Sequence, residues 1–300
     1  MSDKIPNNDN NGRVKVGIPT GSLEDATIEL FRKAGWRISR GSRNYFPMVD
    51  DEELSFSLVR AQEMSRFVEE GILDAGITGR DWILENNSDV VWVEELAYSK
   101  ATSKPARWVL IVPKNSPYNS LEDLKDKRIS TELVQFTKRY FEDKGVDVKV
   151  DYSWGTTEAK VVEGIADAAV EVTETGSTIR AHGLKIIHEL MQSKPYLIAN
   201  GESYKDPFKR KKIDNIALLL KGAEKAMGMV GIKLNVHRDG LEKIVAILPS
   251  LNAPTVAGLH QSDWYSVESV VSEKIIRSLI PQLMECGAEG IVEYPLNKIL

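Results

Sequence analysis

Hydrophobic and polar positions change period repeatedly along the chain. "VKVGIP" at 14–19 reads as a strand, a Gly-Ser turn follows, and apolar residues at helical spacing from Glu24 to Ala34 predict an amphipathic helix. The pattern recurs in the strand "LSFSLVR" (54–60), the helix "AQEMSRFVEEG", the short strand "DAGIT" (74–78) and a turn into "RDWILEN". Strands alternating with helices predict a largely parallel, helix-covered sheet. A second unit of the same kind opens at "RWVLIVP" (107–113) and continues through "LEDLKDKRIST", the helix "VQFTKRYFEDKG", the strand "VKVDYSW" and "EAKVVEGIADAAVEV". After "PYLIAN" (195–200), the basic segment "DPFKRKKIDNIALLLKGAEKAM" (206–227) reads as a helix that either rejoins the first unit or leads into a third.

From Gly228 the order of elements changes. The pattern predicts strand "MVGIKLNV", helix "GLEKIVAILP", strands "TVAGLH" and "WYSVESVV", helix "SEKIIRSLIPQLMECG" and strand "EGIVEYPL". This βαββαβ order is that of a ferredoxin-like sandwich. The expected fold is α/β, with two periplasmic-binding-protein-like lobes around a cleft at their strand ends, plus a C-terminal ferredoxin-like domain. The expected boundaries are a disordered leader at 1–12, a first lobe from 13–104 and 196–225, a second lobe at 105–195, and the appended domain at 226–300. That last domain shows no candidate chemistry and suits regulation or oligomerisation.

Composition narrows the function classes. The 300 residues are 42% hydrophobic and 28% charged, enough for more than one core. A formal net charge of −5 gives no global basic surface, so neither nucleic acid nor an acidic membrane is an expected partner. Cys286 is the single cysteine, which excludes an internal disulfide framework and favours a reducing, cytoplasmic setting. The N-terminus lacks the apolar core of a signal peptide. His182, His188, His237 and His260 show no metal-ligand spacing, and the six tryptophans are dispersed without a stacking pattern.

The stretch "AAVEVTETGSTIRAHG" (168–183) carries the most specific chemistry. A strand ends near Val172, Gly176 permits a positive φ, and Ser177 and Thr178 place hydroxyls where a helix begins. Such a turn offers N–H groups to a phosphate. Glu171 and Glu174 would repel a bare phosphate, but they suit a ligand that also carries hydroxyls, as a ribose phosphate does. The same residues equally fit an ordinary helix cap beside two solvated acids. "GIPTGSLEDAT" (17–27) and "DAGITGRDW" (74–82) are further strand-to-helix turns, although Ser22 with Asp25 also resembles a plain capping arrangement. Three such turns at strand ends would converge on one cleft and favour a phosphorylated ligand. Arg43 and Arg60 flank strands and are the better candidates for phosphate clamps.

Together, "GIPTGSLEDATIELFRKAGW", "LVRAQEMSRFVEEGILDAGITGRDWI", "GTTEAKVVEGIADAAVEVTETGSTIRAHGLKII" and "LPSLNAPTVAGLHQSDWYSVESVV" resemble the ATP phosphoribosyltransferase family in its long form, from about Val14 to Leu300. The resemblance implies the first step of histidine biosynthesis, in which N1 of ATP displaces diphosphate from 5-phosphoribosyl 1-diphosphate. It implies Mg2+ carried by the diphosphate, with no dedicated protein ligands. Glu171 would face the ribose hydroxyls and favour positive charge on the sugar, with Glu174, Thr175, Gly176, Ser177 and Thr178 binding phosphoribosyl diphosphate. ATP and diphosphate would lie near Gly21, Ser22, Arg43, Arg60, Thr78 and Gly79. The family commonly has lysine where this chain has Thr20, so either another cation replaces it or polyphosphate binds more weakly. The C-terminal domain would bind histidine as an allosteric inhibitor near Ala253, Pro254 and Thr255, within a homo-oligomer that exchanges between dimer and hexamer.

Two other readings compete. A cytoplasmic two-lobed sensor would bind a phosphorylated metabolite without turnover. A porphobilinogen deaminase combines similar lobes with a small C-terminal domain, but it needs a cofactor-bearing cysteine, and Cys286 lies in an apolar helix pattern.

Overall fold

A computed structural model describes residues 12–39, 45–98 and 106–300. The expected leader, apart from Gly12, and the candidate Arg43 lie outside the described residues. The chain forms two compact units, Met1–Ala217 and Leu218–Leu300.

The first unit begins with β1 (Val14–Thr20), α1 (Glu24–Ala34), the short pair β2 (Ile38–Ser39) and β3 (Met48–Val49), β4 (Leu54–Arg60), α2 (Ala61–Glu69), β5 (Ala75–Gly79), α3 (Arg80–Asn86) and β6 (Val91–Glu95). It continues with β7 (Ala106–Pro113), β8 (Arg128–Thr131), α4 (Val134–Asp143), β9 (Lys149–Tyr152), α5 (Thr157–Val162), β10 (Ala168–Thr173), α6 (Ser177–Ala181), β11 (Leu184–Ser193), β12 (Pro195–Ala199) and α7 (Pro207–Lys225), in which the division between the units falls. Two five-stranded sheets result, ordered β4-β1-β5-β12-β6 and β11-β7-β10-β8-β9.

The largely parallel expectation holds for β4, β1 and β5, and for β10, β8 and β9. It fails at one inserted strand in each sheet. β12 runs antiparallel to β5 and β6, and β7 runs antiparallel to β10 and β11. Both inserted strands follow a crossing of the chain from the other sheet, so each lobe is completed by a strand that enters from its neighbour. β11 was not legible in the hydrophobic pattern. Its pairing with β7 shifts register between Ile186 and His188 and again between Glu189 and Met191, and such bulges destroy period-two alternation.

Each sheet is covered by helices. In the first lobe Phe31 of α1 is fully buried and meets the Phe56 and Trp36 rings edge-on at centroid distances of 5.1 and 5.6 Å. In the second, Leu110, Val112, Phe141 and Val170 form one core, while Val109, Ile111, Ala169 and Ile179 form another. β7 therefore buries alternating residues in two cores, which accounts for its nearly unbroken apolar sequence.

A helix cap joins the lobes. Leu133, before α4, has no side-chain acceptor for the helix's first N–H groups. The Glu85 carboxylate at the end of α3 takes that role, accepting from Gln135 N–H at 3.0 Å and Phe136 N–H at 2.8 Å. The Arg139 guanidinium returns a hydrogen bond to the Leu84 carbonyl.

The second unit contains β13 (Met229–His237), α8 (Arg238–Ile247), β14 (Thr255–Gly258), β15 (Trp264–Ser272), α9 (Ile276–Glu285) and β16 (Ala288–Pro295). Its sheet order, β14-β15-β13-β16, is wholly antiparallel and is that of the ferredoxin-like sandwich read from the sequence. Ile232, Leu234, Ile244, Val267, Leu279 and Leu283 form its core. β14 is an exposed edge strand.

Because Glu85 caps a helix of the opposite lobe, Glu85→Ala should lower stability by about 1 kcal/mol, the usual cost of a lost cap. Glu85→Gln, which keeps an acceptor, should lose less. Urea denaturation of the three proteins measures the difference.

Candidate active site in the interlobe cleft

The C-terminal ends of β1, β4 and β5 and the end of β10 open on a cleft of about 800 Å³. The first lobe lines it with Thr20, Gly21, Ser22, Arg60, Gly79 and Asp81 among others, and the second with Trp108, Glu132, Trp154, Thr173 and Glu174. Parallel strands end together, so their following turns meet at one edge.

The β1 turn is not the Ser22–Asp25 cap that its sequence resembles. Gly21 has a φ of +84°, and its N–H donates to the Glu24 carboxylate at 3.3 Å, leaving the exposed Ser22 at the cleft. The register pairs Thr20 with Arg60 on β4, and both residues line the cleft. Among the described residues Arg60 makes no ion pair with a carboxylate. Among the described residues, the other cation lining the cleft is Lys194, which is paired with Glu95.

Thr78 does not reach the cleft. It is fully buried, and its hydroxyl donates to the Ala61 carbonyl at 2.7 Å, so it ties β5 to α2. Gly79 serves the site by being small. A Cβ there would stand 2.1 Å from Asp81 Oδ1.

Asp81 is the polar centre of the cleft, and sequence reasoning passed over it. Its carboxylate accepts from the Trp108 indole N–H at 2.8 Å and from Trp82 N–H at 3.0 Å. The Ser193 hydroxyl accepts Asp81 N–H at 3.2 Å and directs its own proton toward the carboxylate. Trp108 and Ser193 belong to β7 and β11, so one first-lobe side chain binds two second-lobe strands. Burial raises the Asp81 pKa, and these hydrogen bonds oppose the rise.

Further acids extend this centre into the second lobe. Burial raises the Glu132 pKa, Asp81 adds to the rise, and the Gly155 N–H opposes it. Glu171 is raised to about 7, chiefly by burial, with added repulsion from Glu158 and Glu132 and opposition from Val172 N–H and the Thr157 hydroxyl. The Val172 N–H donates to Glu171 Oε1 at 3.1 Å.

Thr173 and Glu174 line the cleft, while Thr175, Gly176, Ser177 and Thr178 are not among its lining residues. The turn has a Gly176 φ of +71°, and Gly176 N–H donates to Thr173 Oγ1 at 2.8 Å. Thr175 and Ser177 share a hydroxyl hydrogen bond of 3.0 Å. The hydroxyls of this exposed turn thus satisfy one another locally. In the second unit Ala253 and Pro254 lie in the loop before β14, and Thr255 is its first residue.

The tryptophans, dispersed in sequence, gather in part: Trp82, Trp108 and Trp154 all line the cleft. Among the described residues no group of three or more His, Cys, Asp or Glu side chains is arranged to hold a metal, and no helix is long and apolar enough to cross a membrane.

Comparison with known proteins gives the family. The family model described as ATP phosphoribosyltransferase matches residues 60–222, and the model for the HisG C-terminal domain matches residues 226–298. The ATP phosphoribosyltransferase of Desulfosudis oleivorans is 60% identical over 96% of this chain and 99% of its own. ATP phosphoribosyltransferase 1 of Geobacter sulfurreducens is 58% identical, again over 96% and 99%. Among solved structures, a chain of the ATP phosphoribosyl transferase (HisG:HisZ) complex from Thermotoga maritima is 26% identical with a TM-score of 0.60, over 69% of this chain and 96% of that one. The chain belongs to the ATP phosphoribosyltransferase family in its long form, the pentosyltransferases that open histidine biosynthesis.

Proposed function

We propose that the interlobe cleft is where N1 of ATP's adenine attacks the anomeric carbon of 5-phosphoribosyl 1-diphosphate. The N1–C1 bond forms, the C1–O bond to diphosphate breaks, and diphosphate leaves with the bonding electron pair. The observation that carries this reading is the convergence of Thr20, Gly21, Ser22, Arg60 and Gly79 from one lobe with Thr173 and Glu174 from the other. A sensor reading would use the same cleft, but relatives of this identity named as transferases give it no support.

Thr175, Gly176, Ser177 and Thr178 cradle the 5-phosphate, which takes over donors that now satisfy one another. Glu171 and Glu174 face the ribose hydroxyls. As the leaving bond lengthens, positive charge grows on the sugar, and Glu171, Glu132 and Asp81 supply a field that favours it. These acids repel one another in the free protein, and developing positive charge relieves that repulsion. Arg60, beside Thr20, meets phosphate oxygens of ATP or diphosphate and substitutes for the family's usual lysine. Arg43 is assigned to the same group. Mg2+ enters on the diphosphate and neutralises part of its charge.

Residues 226–300 act as the regulatory domain. Histidine binds near Ala253, Pro254 and Thr255, and inhibition follows from tighter binding to the less active member of a dimer–hexamer equilibrium. A reducing cytoplasm suits the lone Cys286.

The catalytic assignment predicts that Glu171→Gln lowers kcat by roughly 100-fold or more, in keeping with the loss of one electrostatic group. KM for ATP should change little; unchanged kcat would remove Glu171 from the chemistry. Its ionisation also predicts a pH effect on stability. An acid raised from its ordinary value of 4.5 to about 7 binds more protons folded than unfolded, so its contribution to stability falls as pH rises through that window. Relative to wild type, Glu171→Gln should therefore gain stability from pH 4.5 to 7, by at most about 3 kcal/mol, and level off above. Denaturation at several pH values measures this. For the regulatory domain, Thr255→Val should weaken inhibition by histidine in a steady-state assay without altering uninhibited turnover.

A further inference from the structure

Among the described aromatic residues lining the cleft, Trp154 stands apart. Trp108 is buried with its indole N–H spent on Asp81, and Tyr98 is buried with its hydroxyl 2.6 Å from Thr27 Oγ1. Trp82 is half-buried and packs edge-on against Trp108 at 6.5 Å. Trp154 is 74% exposed.

An exposed tryptophan alone means little. This one sits on a loop fixed on both sides. Ser153 is buried, its N–H donates to the Thr131 carbonyl at 2.9 Å, and its hydroxyl lies 3.2 Å from Thr157 Oγ1. Gly155 donates its N–H to the Glu132 carboxylate and has a φ of +69°. Thr156 has a φ of +51°, a conformation unfavourable for a residue with a Cβ. The fold thus holds a large apolar ring toward the cleft on a constrained loop.

The reaction supplies the ring's partner. Of the two substrates only ATP carries a flat aromatic face. Its N1 must reach an anomeric carbon whose sugar is assigned to the β10–α6 turn of the second lobe. The triphosphate can extend toward Arg60, but the base has to approach the second lobe, and Trp154 belongs to that lobe. On the strength of the functional reading above, we infer that Trp154 is the stacking surface that positions the adenine of ATP for attack. It is a positioning residue, and it makes the site select a planar heteroaromatic base.

Calorimetric titration of the full-length protein with ATP, 5-phosphoribosyl 1-diphosphate and inorganic tripolyphosphate tests this in wild type, Trp154→Ala and Trp154→Phe. Base stacking on an aromatic side chain predicts that Trp154→Ala weakens ATP binding by roughly 5- to 150-fold, while Trp154→Phe retains most of the affinity. Binding of the two ligands without a base should stay as in wild type. ATP binding unchanged in Trp154→Ala would overturn the assignment, as would equal weakening for all three ligands. Wild type that binds neither ATP nor 5-phosphoribosyl 1-diphosphate would instead overturn the functional reading, and this assignment with it.

Discussion

The carboxylate of Asp81 is the constraint around which the first unit is arranged. It is almost fully buried, yet it belongs to one lobe and takes hydrogen bonds from the other through Trp108 and Ser193. A buried acid without partners is costly, so the arrangement holds only while the β7 and β11 strands stay in place beside α3. Gly79 leaves room for it, and Glu85 ties the far end of the same helix to α4. One short helix therefore fixes the cleft at two points.

That constraint also sets the electrostatics. Asp81 acts on Glu132, and Glu132 on Glu171, so a run of acids with raised pKa values leads from the interlobe joint to the strand before the β10–α6 turn. Such a run suits the proposed reaction, which places positive charge on a sugar. Arg60 supplies opposite charge at the first lobe's edge of the cleft. The two signs therefore stand in different lobes of the same cleft.

Much of this was legible in sequence because strand ends carry local signals. Glycine with Ser or Thr after an apolar run marked the turns at 20–23, 79 and 173–178, and the element order of the second unit could be read in full. Thr78 carried the same signal, but its hydroxyl is spent on Ala61, a contact that no local pattern reveals. Asp81 was passed over because its partners lie 27 and 112 residues further along the chain. Trp154 looked like one of several scattered tryptophans until the strand register brought its loop to the cleft. β11 was hidden by its own bulges.

The central claim is that the phosphoribosyl group is held by the second lobe at the β10–α6 turn. Hydrogen–deuterium exchange with 5-phosphoribosyl 1-diphosphate and Mg2+, in the absence of ATP, tests it most directly. The account predicts slower exchange at the amides of Thr173 to Ala181. Binding of the ligand with no change in those amides would contradict it.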